Sequence, residues 1–208
     1  MTPTSATSLP RVLVVGAGGT LGRAVVAELA QRHDVIAASR TEGDVRIDLT
    51  DPASIRAALE KIGRLDAIVC TAGKVPFKPL ADMTAELYAS GLDDKLMGQV
   101  NLVLAGRGHL ADGGSITLIG GILAERFIRS GTSASMVNGA LESFVKAAAI
   151  ELPRGLRINL VSPNVFAESM PDYAPFFRGF EPVPVARAAL AYGRSVEGAE
   201  TGQVYRVF

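Results

Sequence analysis

In 208 residues the chain has a single cysteine, no tryptophan and only two histidines. One cysteine, Cys70, excludes an internal disulfide and any multi-cysteine metal site. His33 and His109 lie far apart, each near the end of an expected helix. An imidazole there interacts favourably with the C-terminal end of the helix dipole, and that reading is preferred to metal ligation. Neither sign of charge is in excess, with 21 Lys+Arg against 21 Asp+Glu. This argues against an electrostatic nucleic-acid binder and against a basic membrane-surface protein. No apolar run is long enough to span a bilayer. The opening MTPTSATSLP lacks an apolar core and reads as a short disordered lead over 1–10, not as a signal peptide. The expectation is a cytoplasmic protein with neither nucleic acid nor membrane as partner.

The residues present are 48% hydrophobic and 20% charged, an ordinary globular composition with enough length for one large core. Short apolar runs alternate with helical patterns throughout. RVLVV (11–15), DVIAAS (34–39), LDAIVC (65–70), GGSITLIG (113–120), GLRINLVSP (155–163) and GQVYRVF (202–208) read as strands. Leu21, Val25 and Leu29 recur at helical spacing. Asp51, Pro52 and Gly63 supply an N-cap, a first-turn proline and a stop. Residues 84–110 read as helical with a break near Gly91. A helix from about 132 to 152, capped by Thr132 or Ser133, ends before Pro153. VARAALAYGRS reads as a last helix. The alternation predicts an α/β fold of Rossmann type: a doubly wound parallel sheet in three αβα layers, one domain over 11–208. The segment 162–184, rich in proline and aromatics, follows a strand's C-terminal end and reads as a lid.

Between the first strand and first helix stands GAGGTLG, with Gly16, Gly18, Gly19 and Gly22. Glycines permit a tight turn and close backbone approach, and the helix N-terminus then presents free N–H groups to a pyrophosphate. The position after a buried strand makes this a dinucleotide loop. The second strand ends in Ser39 and Arg40, where NAD enzymes often keep an acidic residue. A hydroxyl beside a guanidinium suits the 2′-phosphate of NADP. Glu42 and Asp44 lie nearby and leave NAD open.

These motifs, in this order, resemble the short-chain dehydrogenase/reductase family over nearly the whole chain. GAGGTLG resembles its glycine loop, with Thr20 where the middle glycine usually stands and Leu21 beside it. DLTD (48–51) resembles the segment that frames the adenine, which implies that role for Asp48 and Leu49. CTAG (70–73) resembles the family's Asn-Asn-Ala-Gly, with Thr71, Ala72 and Gly73 at the cofactor wall. SPN resembles the turn near the nicotinamide, through Pro163 and Asn164, and TGQVYRV resembles the usual last strand. The resemblance implies NADP(H) binding, oxidoreductase chemistry on a small carbonyl or alcohol, and a homodimer or homotetramer through the middle helix and the helix from 132. There the small row Ser135, Gly139 and Ser143 would admit a partner helix.

The family's proton machinery is Ser, Tyr, Lys and often Asn. In this alignment the Tyr slot holds Ala134, the Lys slot Asn138 and the Ser slot Gly121, while the asparagine position falls near Lys95. The enoyl-reductase spacing fails too, since Lys146 would need a tyrosine at Gly139. Losing a positioned general acid costs roughly 10²–10⁴-fold in rate. Lys95 and Tyr173 are the candidate replacements, while Tyr192 and Tyr205 read as structural. Three readings follow: an NADP-dependent oxidoreductase with a non-standard proton source, a redox-inactive nucleotide-binding sensor or scaffold, and an isomerase or lyase reusing the pocket.

Overall fold

The computed structural model describes residues 8–208, so the first seven residues of the expected lead lie outside the described residues. The strands are β1 (Arg11–Val15), β2 (Asp34–Ser39), β3 (Val45–Arg46), β4 (Leu65–Cys70), β5 (Leu110–Ile119), β6 (Arg157–Pro163) and β7 (Val204–Val207). The helices are α1 (Thr20–Leu29), α2 (Pro52–Ile62), α3 (Ala85–Gly91), α4 (Gly98–Gly106), α5 (Thr132–Glu151), α6 (Met170–Tyr173) and α7 (Val185–Glu197). The strands form one sheet in the order β3-β2-β1-β4-β5-β6-β7, every neighbouring pair parallel.

Strand alternation sends side chains into two cores. Val12, Val14, Val69 and Val161 pack with Leu21, Val25 and Leu29 of α1 and with Ala188 and Tyr192 of α7. Leu13, Val15, Ile68, Ile116 and Leu160 pack with α2, α4 and α5 through Leu59, Leu102, Val137 and Leu141. Each such fully buried side chain contributes about 1.5–3 kcal/mol. The result is the three-layer Rossmann-type arrangement that the alternation of runs predicts. Among the described residues no helix is long and apolar enough to cross a membrane.

The Asp51 carboxylate caps α2 by accepting from Ala53 N at 2.8 Å, with Pro52 behind it and Gly63 closing at φ 77°. Elsewhere local detail departs from expectation. β3, two residues long, is too short for periodicity to reveal. β5 starts at Leu110, so Gly113 and Gly114 lie inside it, where pairing with β4 shifts register. There is no break at Gly91. The chain passes through a π-helical turn, Leu92–Met97, into α4. Gly91 is there for close packing, because a Cβ on it would lie 2.7 Å from Ser133 Oγ. α5 begins from Gly131 without a side-chain cap. Its expected caps are used otherwise: Thr132 Oγ1 bonds Tyr88 OH at 2.8 Å, and Ser133 Oγ is buried without a partner.

β1 is the switch point. The chain moves outward from it to β2 and β3, then returns to its other side as β4. Parallel sheets bind ligands at the C-terminal ends of strands around such a point. Thr71 N donates to Val15 O at 2.9 Å, so the segments after β1 and β4 leave the sheet side by side.

Candidate functional site

The glycine loop turns at Gly16, φ 90°, whose N–H donates to Ala38 O at 2.8 Å. A Cβ on Gly16 would meet Thr71 Oγ1 at 2.7 Å, and one on Gly22 would fall 2.0 Å from Gly16 O. Both positions are therefore closed to larger residues. α1 starts at Thr20 from Gly19 with no side chain capping its first turn, so its first amides lack a side-chain acceptor.

Gly16, Ser39, Arg40, Asp48, Leu49, Ala72 and Gly73 line one recess beside the loop. Arg40 is exposed at its rim and, among the described residues, makes no hydrogen bond or ion pair. Ser39 is committed locally: its hydroxyl accepts from Glu42 N at 2.9 Å and donates to Glu42 O at 2.7 Å. The Asp48 carboxylate accepts from the hydroxyl and amide of Thr50 at 2.7 and 2.9 Å, which hold it below the usual carboxylate range. Asp44 accepts from Ala37 N at 2.8 Å and so stabilises the edge of β2. Gly18 lies apart from this recess, under the Glu42 carboxylate, where a Cβ would come within 2.0 Å of Oε1.

The recess continues past Gly73 and Lys74 into a cavity of about 420 Å³. Leu21, Thr71, Gly73, Lys95, Ala134, Asn138, Pro163, Asn164 and Tyr173 all line it. Residues named from the sequence, in stretches far apart along the chain, thus meet in one continuous cleft. Gly19, Thr20, Gly22 and Gly121 do not line either part directly. Gly22 seats α1 on the loop, and Gly121 backs Asn138, with 2.9 Å between a built Cβ and Nδ2.

Lys95 is the only buried ammonium among the described residues. The π-helical turn carries it, as such turns often carry functional side chains. Its Nζ donates to Asn138 Oδ1 at 2.8 Å and to Gly120 O at 2.9 Å, and Asn138 Nδ2 donates to Gly121 O at 3.3 Å. Gly73 is pressed against the lysine stem, with 2.5 Å between a built Cβ and Cγ. Gln99 bonds both Lys95 O and the main chain of Ile119, fixing the turn to the end of β5. Burial pushes the ammonium down to about 8, against a smaller opposing pull that includes Asp94. An ammonium has three donors. Two are spent on protein, which leaves the third for the cavity. Cys70, fully buried, is pushed up to about 12 by burial and stays a neutral thiol.

The segment over 162–184 is more ordered than its composition suggests. Asn164 Nδ2 donates to Glu181 O at 2.7 Å, Phe166 pairs with Val183, and a 3₁₀ turn leads into α6. Tyr173 stands edge-on to Phe77 and Phe177, with centroids 5.7 and 6.2 Å away. Tyr192 is fully buried and donates to Cys70 O at 3.0 Å, while Tyr205 donates to Glu200 at 3.0 Å. Both hydroxyls are tied to structure. Sequence reasoning missed Val75, Phe77, Ile122, Leu123 and Val165 on the cavity wall. Isolated apolar residues in loops carry no periodicity, so the only available signal was their place just after strand ends.

Comparison with known proteins agrees with this geometry. The family described as "Enoyl-(Acyl carrier protein) reductase" matches residues 10–208. The chain belongs to the short-chain dehydrogenase/reductase family. Human L-xylulose reductase is 32% identical over 179 residues, covering 77% of this chain and 73% of that protein. The crystal structure of the protein lin1944 from Listeria innocua superposes with a TM-score of 0.94 at 49% identity, covering 96% of this chain and all of that one. A small-chain dehydrogenase in complex with NADPH superposes with a TM-score of 0.85 at 25% identity, covering 96% and 97% of the two chains. The short-chain dehydrogenase/reductase frame therefore extends over all of the described sheet and cleft.

Proposed function

We propose that the protein is an NADP(H)-dependent oxidoreductase of the short-chain type, acting on a small carbonyl or alcohol, in which Lys95 supplies the charge beside the reacting oxygen. The carrying observation is the bonded Lys95–Asn138 pair in the cleft. In the family alignment Asn138 takes the lysine's place and Lys95 falls near the asparagine's. The two residue types have exchanged helices while the ammonium still reaches the same cavity.

The residues fit the cofactor. The tight turn at Gly16 and the seat of α1 on it at Gly22 leave no room for a Cβ at either position, and the uncapped start of α1 suits a pyrophosphate. Asp48, Leu49 and Ala72 frame the adenosine recess. Arg40 at its rim suits a 2′-phosphate, in keeping with the NADPH complex of a structural relative. Thr71, Gly73, Pro163 and Asn164 would hold the nicotinamide end. When bound, NADPH supplies a hydride to the carbonyl carbon. The oxygen left negative needs electrostatic support and a proton. The third N–H of Lys95 Nζ provides the support, and an ammonium held at about 8 is acidic enough to release its proton near neutral pH. Ala134 and Gly121 offer neither, so Lys95 carries the task that relatives divide between Tyr and Lys. Tyr173 is the weaker candidate, since its ring is 37% exposed and packed within the loop aromatics.

Self-association follows the same resemblance. Leu104, Met136 and Ile150 are 51%, 42% and 87% exposed on the outer faces of α4 and α5, and a Cβ on Gly139 would meet nothing within 4 Å. We assign this face to a homodimer or homotetramer contact, to be checked by sedimentation.

Calorimetric titration with NADPH and NADH, followed by a turnover screen over ketones, imines and enones, tests the function. Saturable binding favouring NADPH, with oxidation on at least one substrate class, is expected. Absence of nucleotide binding would overturn the reading. Binding without oxidation would favour a second one, a redox-silent nucleotide sensor or an isomerase, which Ala134 and Gly121 in the acid slots support.

A further inference from the structure

The cleft's outer half is built differently from its cofactor half. A third apolar cluster, separate from the two sheet cores, gathers Ile122, Leu123, Ala134, Val165 and Phe177, all 8% exposed or less. Phe77, Phe176 and Phe180 pack on it, and the rings meet at angles between 49° and 82° with centroids 5.4–6.2 Å apart. Of these, Phe77, Ile122, Leu123, Ala134, Val165 and Phe177 line the cavity.

The buried polar groups are mostly engaged, while Lys74, Ser169 and Tyr173 carry further polar atoms on the lining. Asn164 spends its Nδ2 on Glu181 O at 2.7 Å and its Oδ1 on Val165 N at 2.8 Å. Thr71 Oγ1 donates to Val15 O at 3.0 Å. Asn138 is held between Lys95 and Gly121. Of the buried donors on the lining, the ammonium of Lys95 keeps an N–H to spare.

Building on the oxidoreductase reading, we propose that the substrate is a flat, apolar ring compound bearing one ketone or conjugated enone oxygen, and not a polyhydroxylated sugar. The oxygen meets Lys95 and the ring lies among Phe77, Tyr173 and Phe177. Aromatic faces and edges accommodate a planar ring with little reorganisation. A sugar would bury against carbon those hydroxyls that do not reach Lys74, Ser169 or Tyr173. Each hydroxyl stripped of water without a partner lowers affinity by a factor of roughly 5–150. Ala134, where relatives carry a large ring, widens the approach to Lys95. The sugar-reducing activity in the name of the human relative is not expected to transfer.

The test is binding without turnover. Tetralone, cyclohexenone and xylulose are titrated by calorimetry into the protein alone and into the protein saturated with NADP⁺, whose oxidised ring cannot reduce them. Tetralone is expected to bind at least roughly a hundredfold more tightly than xylulose in both states. Phe77→Ala is expected to weaken tetralone about tenfold while NADP⁺ affinity holds. Failure of NADP⁺ to bind would sink the cofactor reading, and the titration of the protein alone would still decide this one. Equal or tighter binding of xylulose, or no tetralone binding at millimolar concentration, would overturn it. An unchanged tetralone affinity in Phe77→Ala, together with the same result in Leu123→Ser, would overturn it as well.

Discussion

Exchanging the two helices' residues, Lys95→Asn with Asn138→Lys, probes the site's organisation through stability alone. Lys95→Asn removes the donor to Gly120 O, now 2.9 Å away, and relieves a buried charge. A carbonyl left unpaired costs about 1–3 kcal/mol, partly offset by the lost desolvation, so a net of about 1–2 kcal/mol is expected. Asn138→Lys alone places a second ammonium where the Oδ1 acceptor lay, 2.8 Å from Nζ. A second ammonium there drives one of the two lysines to shed its proton, which for a group at about 8 costs about 1.4 kcal/mol at pH 7. The double exchange removes that penalty and restores a lysine–asparagine pair. It should lie within about 2 kcal/mol of the parent, with a coupling of about 1–2 kcal/mol. Urea unfolding of the four proteins at neutral pH measures the cycle. Additivity within about 0.5 kcal/mol would refute the claim that the two positions share one charge site.

Two further perturbations address the cofactor end. Gly22→Ala drives a methyl toward Gly16 O, 2.0 Å from the built Cβ. It should destabilise the fold by about 1–3 kcal/mol and weaken NADPH binding with it, as read by thermal unfolding and calorimetry. Arg40→Ala removes the guanidinium at the rim of the recess proposed for the adenosine. NADPH affinity should fall about tenfold, a charged hydrogen bond reduced by exposure, while NADH changes less than about twofold. Equal losses for both nucleotides would place the 2′-phosphate elsewhere.

The strands and the layer order were legible because buried parallel strands are written as continuous apolar runs, and β1, β2, β4 and β6 kept almost the expected limits. Asp51 was legible because a cap is a local signal. The middle helix was not, for a physical reason. Gly91 reads as a breaker when only propensity is considered, whereas it is required by the nearness of Ser133, a residue some forty positions away. The π-helical turn after it gives no periodic signature, yet it delivers Lys95 to the cleft. Ser39 shows the converse. It lines the recess beside the glycine loop, but its hydroxyl closes the turn to Glu42. Sequence could nominate Lys95 and Asn138 separately, by comparison with the family's slots. Only the folded chain brings Nζ and Oδ1 within hydrogen-bonding distance, because the separation of 43 positions is bridged by the packing of the π-helical turn on α5.

The central claim is that Lys95, as an ammonium, supports the reacting oxygen. The direct measurement is the pH profile of NADPH oxidation, using the best ketone or enone from the screen, for the parent and for Lys95→Met. The ammonium is the acid form and is present below its midpoint. The parent rate should therefore be level at lower pH and fall roughly tenfold per pH unit above about 8. Lys95→Met should run roughly 10²–10³-fold slower, with no inflection in that range. A parent rate that rises through that region, or a Lys95→Met enzyme as fast as the parent, would contradict the account.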